Sequence, residues 1–321
     1  MNVAVSLIGF AVLIALCAPF LLLRGWAMRY PRLALTAWHV TVFSILTALM
    51  WALLVVSHFL WIPAVASLLH IEAPDAHDAY STATYALDSA IWLLVAVASW
   101  MAVVGARKVI RVRRASRDYQ LNLTALAVPQ LVGSVSGVYV LTSPEPAVFC
   151  VPGGRSPMIV VTSAARDQLT SGQLRAAIAH ERAHLRHRHQ LAITWADTIS
   201  AAFAARGLIS VFAHYPVQVR RLCEMAADDS AARSHGNRDL STALLSLSAP
   251  RDPGFATLGA HGGSVAERIT RLLPSAPRSG TGVRCAVIAL TTVVLLAPAA
   301  MAWIPALHLA GSDHCSAHCV H

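Results

Sequence analysis

Charge is what this sequence has least of. Asp, Glu, Lys and Arg make up 13% of its 321 residues, while hydrophobic residues make up 56%. A typical soluble domain carries about 25% charged residues, so the composition argues against a purely soluble enzyme. The abundance of apolar side chains excludes a disordered chain. Lysine is nearly missing: Lys108 stands alone against 24 Arg, and 16 acidic residues leave a net charge of +9. Such an excess fits either nucleic acid or an anionic membrane surface, and placement decides between them. Cysteine is scarce too, and 6 residues do not make a disulfide scaffold in a chain this long. Cys17 and Cys285 fall in apolar runs and read as inert packing, whereas Cys150 and Cys223 stand singly in the polar middle.

What the chain does have is four long apolar runs. Residues 3–23 hold no charge, about the length a spanning helix needs. Their first basic residue, Arg24, comes after the run, and Leu16 precedes Cys17. A secretory leader has its positive charge in front, so a retained span is expected. Residues 33–56, 86–104 and 285–307 give the second, third and fourth spans. Arg24, Arg29 and Arg32 lie between the first two; Arg107, Lys108, Arg111, Arg113, Arg114 and Arg117 follow the third; and Glu72, Asp75 and Asp78 occupy the loop before it. That is the positive-inside pattern. It implies both termini outside, a cytoplasmic middle, a lipid bilayer as partner and no direct nucleic-acid binding. The expected division is a three-span region over 1–117, a cytoplasmic domain over 118–282, a fourth span over 283–307 and an external tail over 308–321.

The middle segment carries 11 of the 16 acidic residues, a soluble domain's chemistry. Residues 135–142 (VSGVYVLT) and 158–162 (MIVVT) read as strands, with 147–151 (AVFCV) as a short edge strand between turn signals. Thr170-Ser171-Gly172-Gln173 fits a capping box. The apolar stripe Leu174, Ala177, Ile178, Leu185 then predicts a helix running through His189.

Inside that helix stands His180-Glu181-Arg182-Ala183-His184. The i, i+4 spacing puts both imidazoles on one face, as two ligands of one tetrahedral zinc require. Glu181 is placed beside such an ion, where a carboxylate can accept a proton from the attacking water and return it to the leaving amine. With 15 His and 5 Glu in 321 residues, chance supplies roughly 0.01 matches to this pattern. A solvated face of a His-rich helix is the plainer alternative, and His187 and His189 suggest that such a face exists. A catalytic zinc needs a third protein ligand. Glu224, in Glu224-Met225-Ala226-Ala227-Asp228, is the foremost candidate, with His214 and His235 as competitors. Asp228, one turn on, is expected to hydrogen-bond a ligand imidazole. Both acids could equally form a solvated face. Leu191 to His214 is apolar enough to suggest a span, but one crossing there would part His184 from Glu224. It is therefore expected to be a core helix or a hairpin that returns to the same side.

HERAH followed by LRHRH, the EMAAD block, MIVVT ahead of the capped helix, and three spans before with one after together resemble the BlaR/MecR-type membrane metallopeptidases, related to the HtpX and CAAX-protease gluzincins. The resemblance implies an α-helical multi-pass membrane protein with an inserted α+β zincin-type domain. It implies one catalytic Zn²⁺ on His180, His184 and Glu224, and Glu181 as base. It further implies regulatory proteolysis of a cytoplasmic protein such as a winged-helix transcriptional repressor. Antibiotic sensing is not carried over: only 14 residues follow the fourth run, and no Ser-x-x-Lys is present.

Two other functions stay open at this point. One is an HtpX-like quality-control protease. The other is a non-enzymatic metal-binding receptor, against which an intact Glu181 speaks. Tyr215, Arg220 and Arg233 are guesses for the oxyanion partner, and the edge strand 147–151 is the expected docking place for substrate. In the tail, His314, Cys315, His318 and Cys319 suit an external metal site or a Cys315–Cys319 disulfide.

Overall fold

The computed structural model describes residues 2–68, 103–122, 128–129, 138–152, 157–203, 210–248, 265–273 and 281–316. Helices α1 (Asn2–Leu22), α2 (Gly25–Arg29) and α3 (Pro31–Leu68) open the chain, followed by α4 over 103–122. Strands β1 (Val128–Pro129), β2 (Val138–Leu141), β3 (Val148–Val151) and β4 (Met158–Thr162) come next. Helices α5 (Ser163–Gln168), α6 (Ser171–Arg186), α7 (His189–Phe203), α8 (Ser210–His235), α9 (Asn237–Ser248), α10 (Val265–Leu272) and α11 (Thr281–Ser316) complete it.

Among the described residues, three stretches, Asn2–Leu22, Pro31–Val56 and Thr281–Ala302, are long and apolar enough to cross a membrane. On α1 the buried stripe Leu7, Ala11, Ala15, Ala18, Leu22 is mostly small. It meets Ala34, Trp38, Ile45, Ala48 and Ala52 of α3. Small residues let helices approach where lipid supplies no hydrophobic drive. Ser44 Oγ donates to the Val294 carbonyl at 2.6 Å, tying α3 to α11. The large side chains Leu13, Leu16 and Phe20 of α1 and Val293 and Leu296 of α11 are exposed, as a bilayer-facing surface demands. The third expected span falls almost wholly outside the described residues.

The sheet has the order β1-β2-β4-β3, with β2 parallel to β4 and the other pairs antiparallel. Strand β4 is buried along its whole length and covers the bounds expected for it. β3 is an edge strand as expected, in register Val148↔Val161 to Val151↔Met158. The pairing strand β1 was not anticipated. Val138, Ile159 and Val161 form a core with Leu174, Ala177 and Ile178, which seats α6 on the sheet. The capping box is present: Thr170 N–H donates to Gln173 Oε1 at 2.9 Å, and Gln173 N–H donates to Thr170 Oγ1 at 3.3 Å.

One sequence expectation needs correction. The helix of the motif does not run through His189. It ends at Arg186, His187 caps it, and α7 begins at His189. Between them Arg188 has φ +52°, a left-handed turn that breaks the α-helical path. Of the two forms expected for the apolar stretch from Leu191 to His214, a core helix or a returning hairpin, the described residues fit the second: it is shared between α7 and α8, which stack Phe203 on Phe212. Ala196 and Ile199 of α7 and Val211, Phe212 and Tyr215 of α8 join the same core as Trp38 and Val42. Helix α8 then continues to Glu224, so the two helices bring the acid back to the motif.

The short connector between α1 and α3 lies against the same body. Arg271 Nε of α10 donates to the Met28 carbonyl at 2.6 Å. Arg32 Nη2 lies 3.1 Å from His187 Nε2, and Arg221, which pairs with Glu267, lies 3.3 Å from Met28 Sδ.

Candidate metal centre

Helix α6 presents His180 and His184 one turn apart, and α8 lays Glu224 across them. The two Nε2 atoms are 3.1 Å apart. Glu224 Oε2 is 3.4 Å from His180 Nε2, and Oε1 is 3.5 Å from His184 Nε2. One ligand atom from each of the three side chains falls within 4.8 Å of the others. Zinc bonds of 2.0–2.1 Å at tetrahedral angles imply ligand separations of roughly 3.3 Å. The two imidazole nitrogens are already at about that separation, and the two Glu224 contacts are made by different oxygens. A small rotation of the carboxylate would close the group on one ion, for which two imidazoles and a carboxylate are a fitting donor set. His214 and His235 stand outside this group.

Asp228 lies beside His180, but the expected hydrogen bond is not formed. Its Oδ1 is 3.0 Å from His180 Nδ1. The approach lies off the N–H axis, so Nδ1 makes no well-aligned hydrogen bond; the short distance and complementary charge still make Asp228 the partner of that nitrogen. Asp228 has no exposure, and Arg268 from α10 binds it at both oxygens, at 2.8 and 2.7 Å. Arg268 Nη1 also reaches Glu224 Oε2 at 3.1 Å.

The electrostatics follow from this packing. Burial would lower His180, but Asp228 and Glu224 outweigh it and raise its pKa to about 9. Burial would raise Glu224, but His180, His184 and Arg268 hold it at about 2. Burial likewise opposes the ionised Asp228, yet Arg268 and His180 keep it well below the usual carboxylate range. Burial lowers His184. It also lowers His189, with help from His184, to about 3.

Glu181 accepts a hydrogen bond from the Cys150 N–H on β3, at 3.0 Å from Oε2. It lines a cavity of about 230 Å³ with His180, Glu224, Arg268 and the apolar Leu240 and Leu244. Glu181 is therefore held between the His180–His184–Glu224 group and the sheet edge.

Residues 120–279 match the model of peptidase family M48. That match supports an M48 family metallopeptidase, and His180, Glu181, His184, Glu224, Asp228 and Arg268 all fall within the matched residues. Among curated proteins and among solved structures, nothing matches.

Sequence reasoning missed two side chains that touch the His180–His184–Glu224 group. Arg268 sits in VAERITRL, where its only signal was a mixed-charge helix face. His189 was read as solvated; it is 3% exposed, and only His187 is exposed. The three oxyanion guesses are not placed at the centre. Tyr215 is core beside Trp38, Arg220 pairs with Asp197 at 2.7 Å, and Arg233 is exposed. The tail residues His314, Cys315, His318 and Cys319 lie outside the described side chains.

Proposed function

We propose that the protein is a membrane-embedded zinc endopeptidase that cleaves a cytoplasmic protein in regulatory proteolysis, with a winged-helix repressor as the expected substrate. The observation that carries this reading is Glu181, fixed beside a converging His180–His184–Glu224 group and bonded to an edge strand. A zinc ion on His180, His184 and Glu224 supplies Lewis acidity for a peptide carbonyl and for water. Glu181 takes the proton of the attacking water and delivers it to the leaving amine. An extended substrate adds to β3 as a further strand, which lays its backbone past Glu181. Leu240, Leu244, Leu247 and Val265 favour an apolar side chain in the adjoining cavity.

The contacts of Arg32 and Met28 with α6, α8 and α10 support one aqueous side for the Arg24–Arg32 connector and the peptidase site. The positive-inside pattern makes that side the cytoplasm and leaves both termini outside.

The test compares cells carrying wild type with cells carrying Glu181→Gln. The variant should keep its zinc and lose one defined set of new protein termini. Loss of termini spread over many membrane proteins would instead indicate quality control. Zinc retention with no difference in termini would leave a metal-binding receptor.

A further inference from the structure

The two ligand imidazoles are held by unlike partners, and only one of them was foreseeable. His180 turns its Nδ1 to Asp228, as a metal-bound histidine commonly does. His184 has no carboxylate there. Its Nδ1 lies 3.1 Å from Nδ1 of His189, and the rings meet edge to face with centroids 4.8 Å apart and planes at 89°. Among the described residues, nothing else comes within hydrogen-bond reach of that nitrogen.

A continuous helix could not make this contact. Five residues at 3.6 per turn set His189 roughly 140° around the helix from His184. The break at His187 and Arg188 removes that constraint. Arg188 is the one non-glycine residue with positive φ among those described, and such outliers persist where the surrounding structure holds them. Here the outlier starts α7 with its first side chain turned back, buried, onto a metal ligand.

The protons can then be assigned. His184 Nε2 faces His180 and Glu224, so that nitrogen is unprotonated when it binds a metal. The neutral ring therefore carries its proton on Nδ1. Nδ1 donates, and His189 Nδ1 accepts, which leaves the proton of His189 on Nε2.

We propose that His189 is a positioning residue of the metal centre: its Nδ1 accepts the hydrogen bond that fixes the tautomer and rotation of His184, and the left-handed Arg188 exists to aim it. The inference rests on the metal-centre reading above and adds to it an imidazole where His180 has a carboxylate.

The test uses the full chain in detergent micelles and Zn²⁺ itself, by competition with a chromophoric chelator, together with the Co²⁺ ligand-field spectrum. His189→Asn and His189→Leu have nearly the same shape, but only asparagine offers an acceptor near the Nδ1 position. Leucine should weaken Zn²⁺ binding roughly 10–100-fold and alter the cobalt spectrum, while asparagine stays within a few-fold of wild type. Equal affinities and spectra for the two variants would overturn the proposal. Should the leucine variant not fold, His189→Phe keeps the ring without the acceptor, and its equality with asparagine would be equally fatal. A wild type that binds no Zn²⁺ would instead sink the metal-centre reading.

Discussion

Arg268 holds Asp228 by both carboxylate oxygens, Nε to Oδ2 at 2.8 Å and Nη2 to Oδ1 at 2.7 Å, where Asp228 has no exposure. The same Asp228 is the partner of His180, so the guanidinium supports the metal triangle through its acids.

The first prediction separates that support from stability. Arg268→Met breaks a buried ion pair by removing one partner, leaves His180 as the one cation against Asp228 among the described residues, and should cost about 3 kcal/mol. Arg268→Met with Asp228→Leu replaces the whole pair by apolar groups and should recover most of that loss. It should not recover zinc affinity, because His180 then lacks its partner. Denaturation midpoints and chelator competition on the three forms check this. A double variant that binds zinc like wild type would remove Asp228 from the metal centre.

The second prediction concerns protons. A histidine raised to about 9 is charged at neutral pH in the metal-free protein. Its contribution to stability is complete below its ordinary value of 6.5 and is lost as the pH climbs through about 9. Glu224, held at about 2, works the other way. Its contribution is complete above the ordinary carboxylate range and is lost as the pH falls through about 2. Zinc needs His180 neutral, whereas His184 and His189 are already neutral and Glu224 already ionised. Binding at pH 7.5 should therefore expel about one proton, and apparent affinity should rise about tenfold per pH unit up to about 9. Calorimetry in two buffers of different ionisation enthalpy counts the proton. A count of zero would mean that His180 is neutral without metal.

How far the sequence could lead is clear from these residues. HERAH, the capping box at Thr170 and the strand MIVVT were legible because each depends on spacing within one element. Glu224 and Asp228 were legible only in company with the upstream motif, since an acidic helix face is ordinary by itself. Arg268 was not, because it arrives from an element whose approach depends on tertiary packing rather than on any local pattern. His189 was misread for a different reason. Its place depends on one backbone angle at Arg188, and arginine gives no sign of a left-handed turn, as glycine would have done.

The third prediction tests the start of the ligand helix. Thr170→Ala removes the hydroxyl that accepts from Gln173 N–H and should destabilise the protein by about 1 kcal/mol. The cap lies more than two turns from His180, so zinc affinity of the folded form should be unchanged. Thermal melts and chelator competition on the same preparation report both. A tenfold drop in affinity would show that the helix start is coupled to the ligands.

The last prediction turns on Arg188. Its φ of +52° costs a non-glycine residue roughly 1–2 kcal/mol. Glycine adopts that angle freely but has more freedom to lose on folding, by roughly 0.5–1 kcal/mol. Relief of strain exceeds that cost by roughly 0–1.5 kcal/mol, so Arg188→Gly should be at least as stable as wild type. Valine is different: branching at Cβ makes a positive φ a genuine outlier. Arg188→Val should be clearly less stable, or should surrender the left-handed turn. If the turn goes, His189 leaves His184, and zinc affinity falls with it. Denaturation and zinc competition on both variants distinguish these cases. A valine variant as stable as wild type and with the same affinity would show that the turn at Arg188 does not hold the pair together.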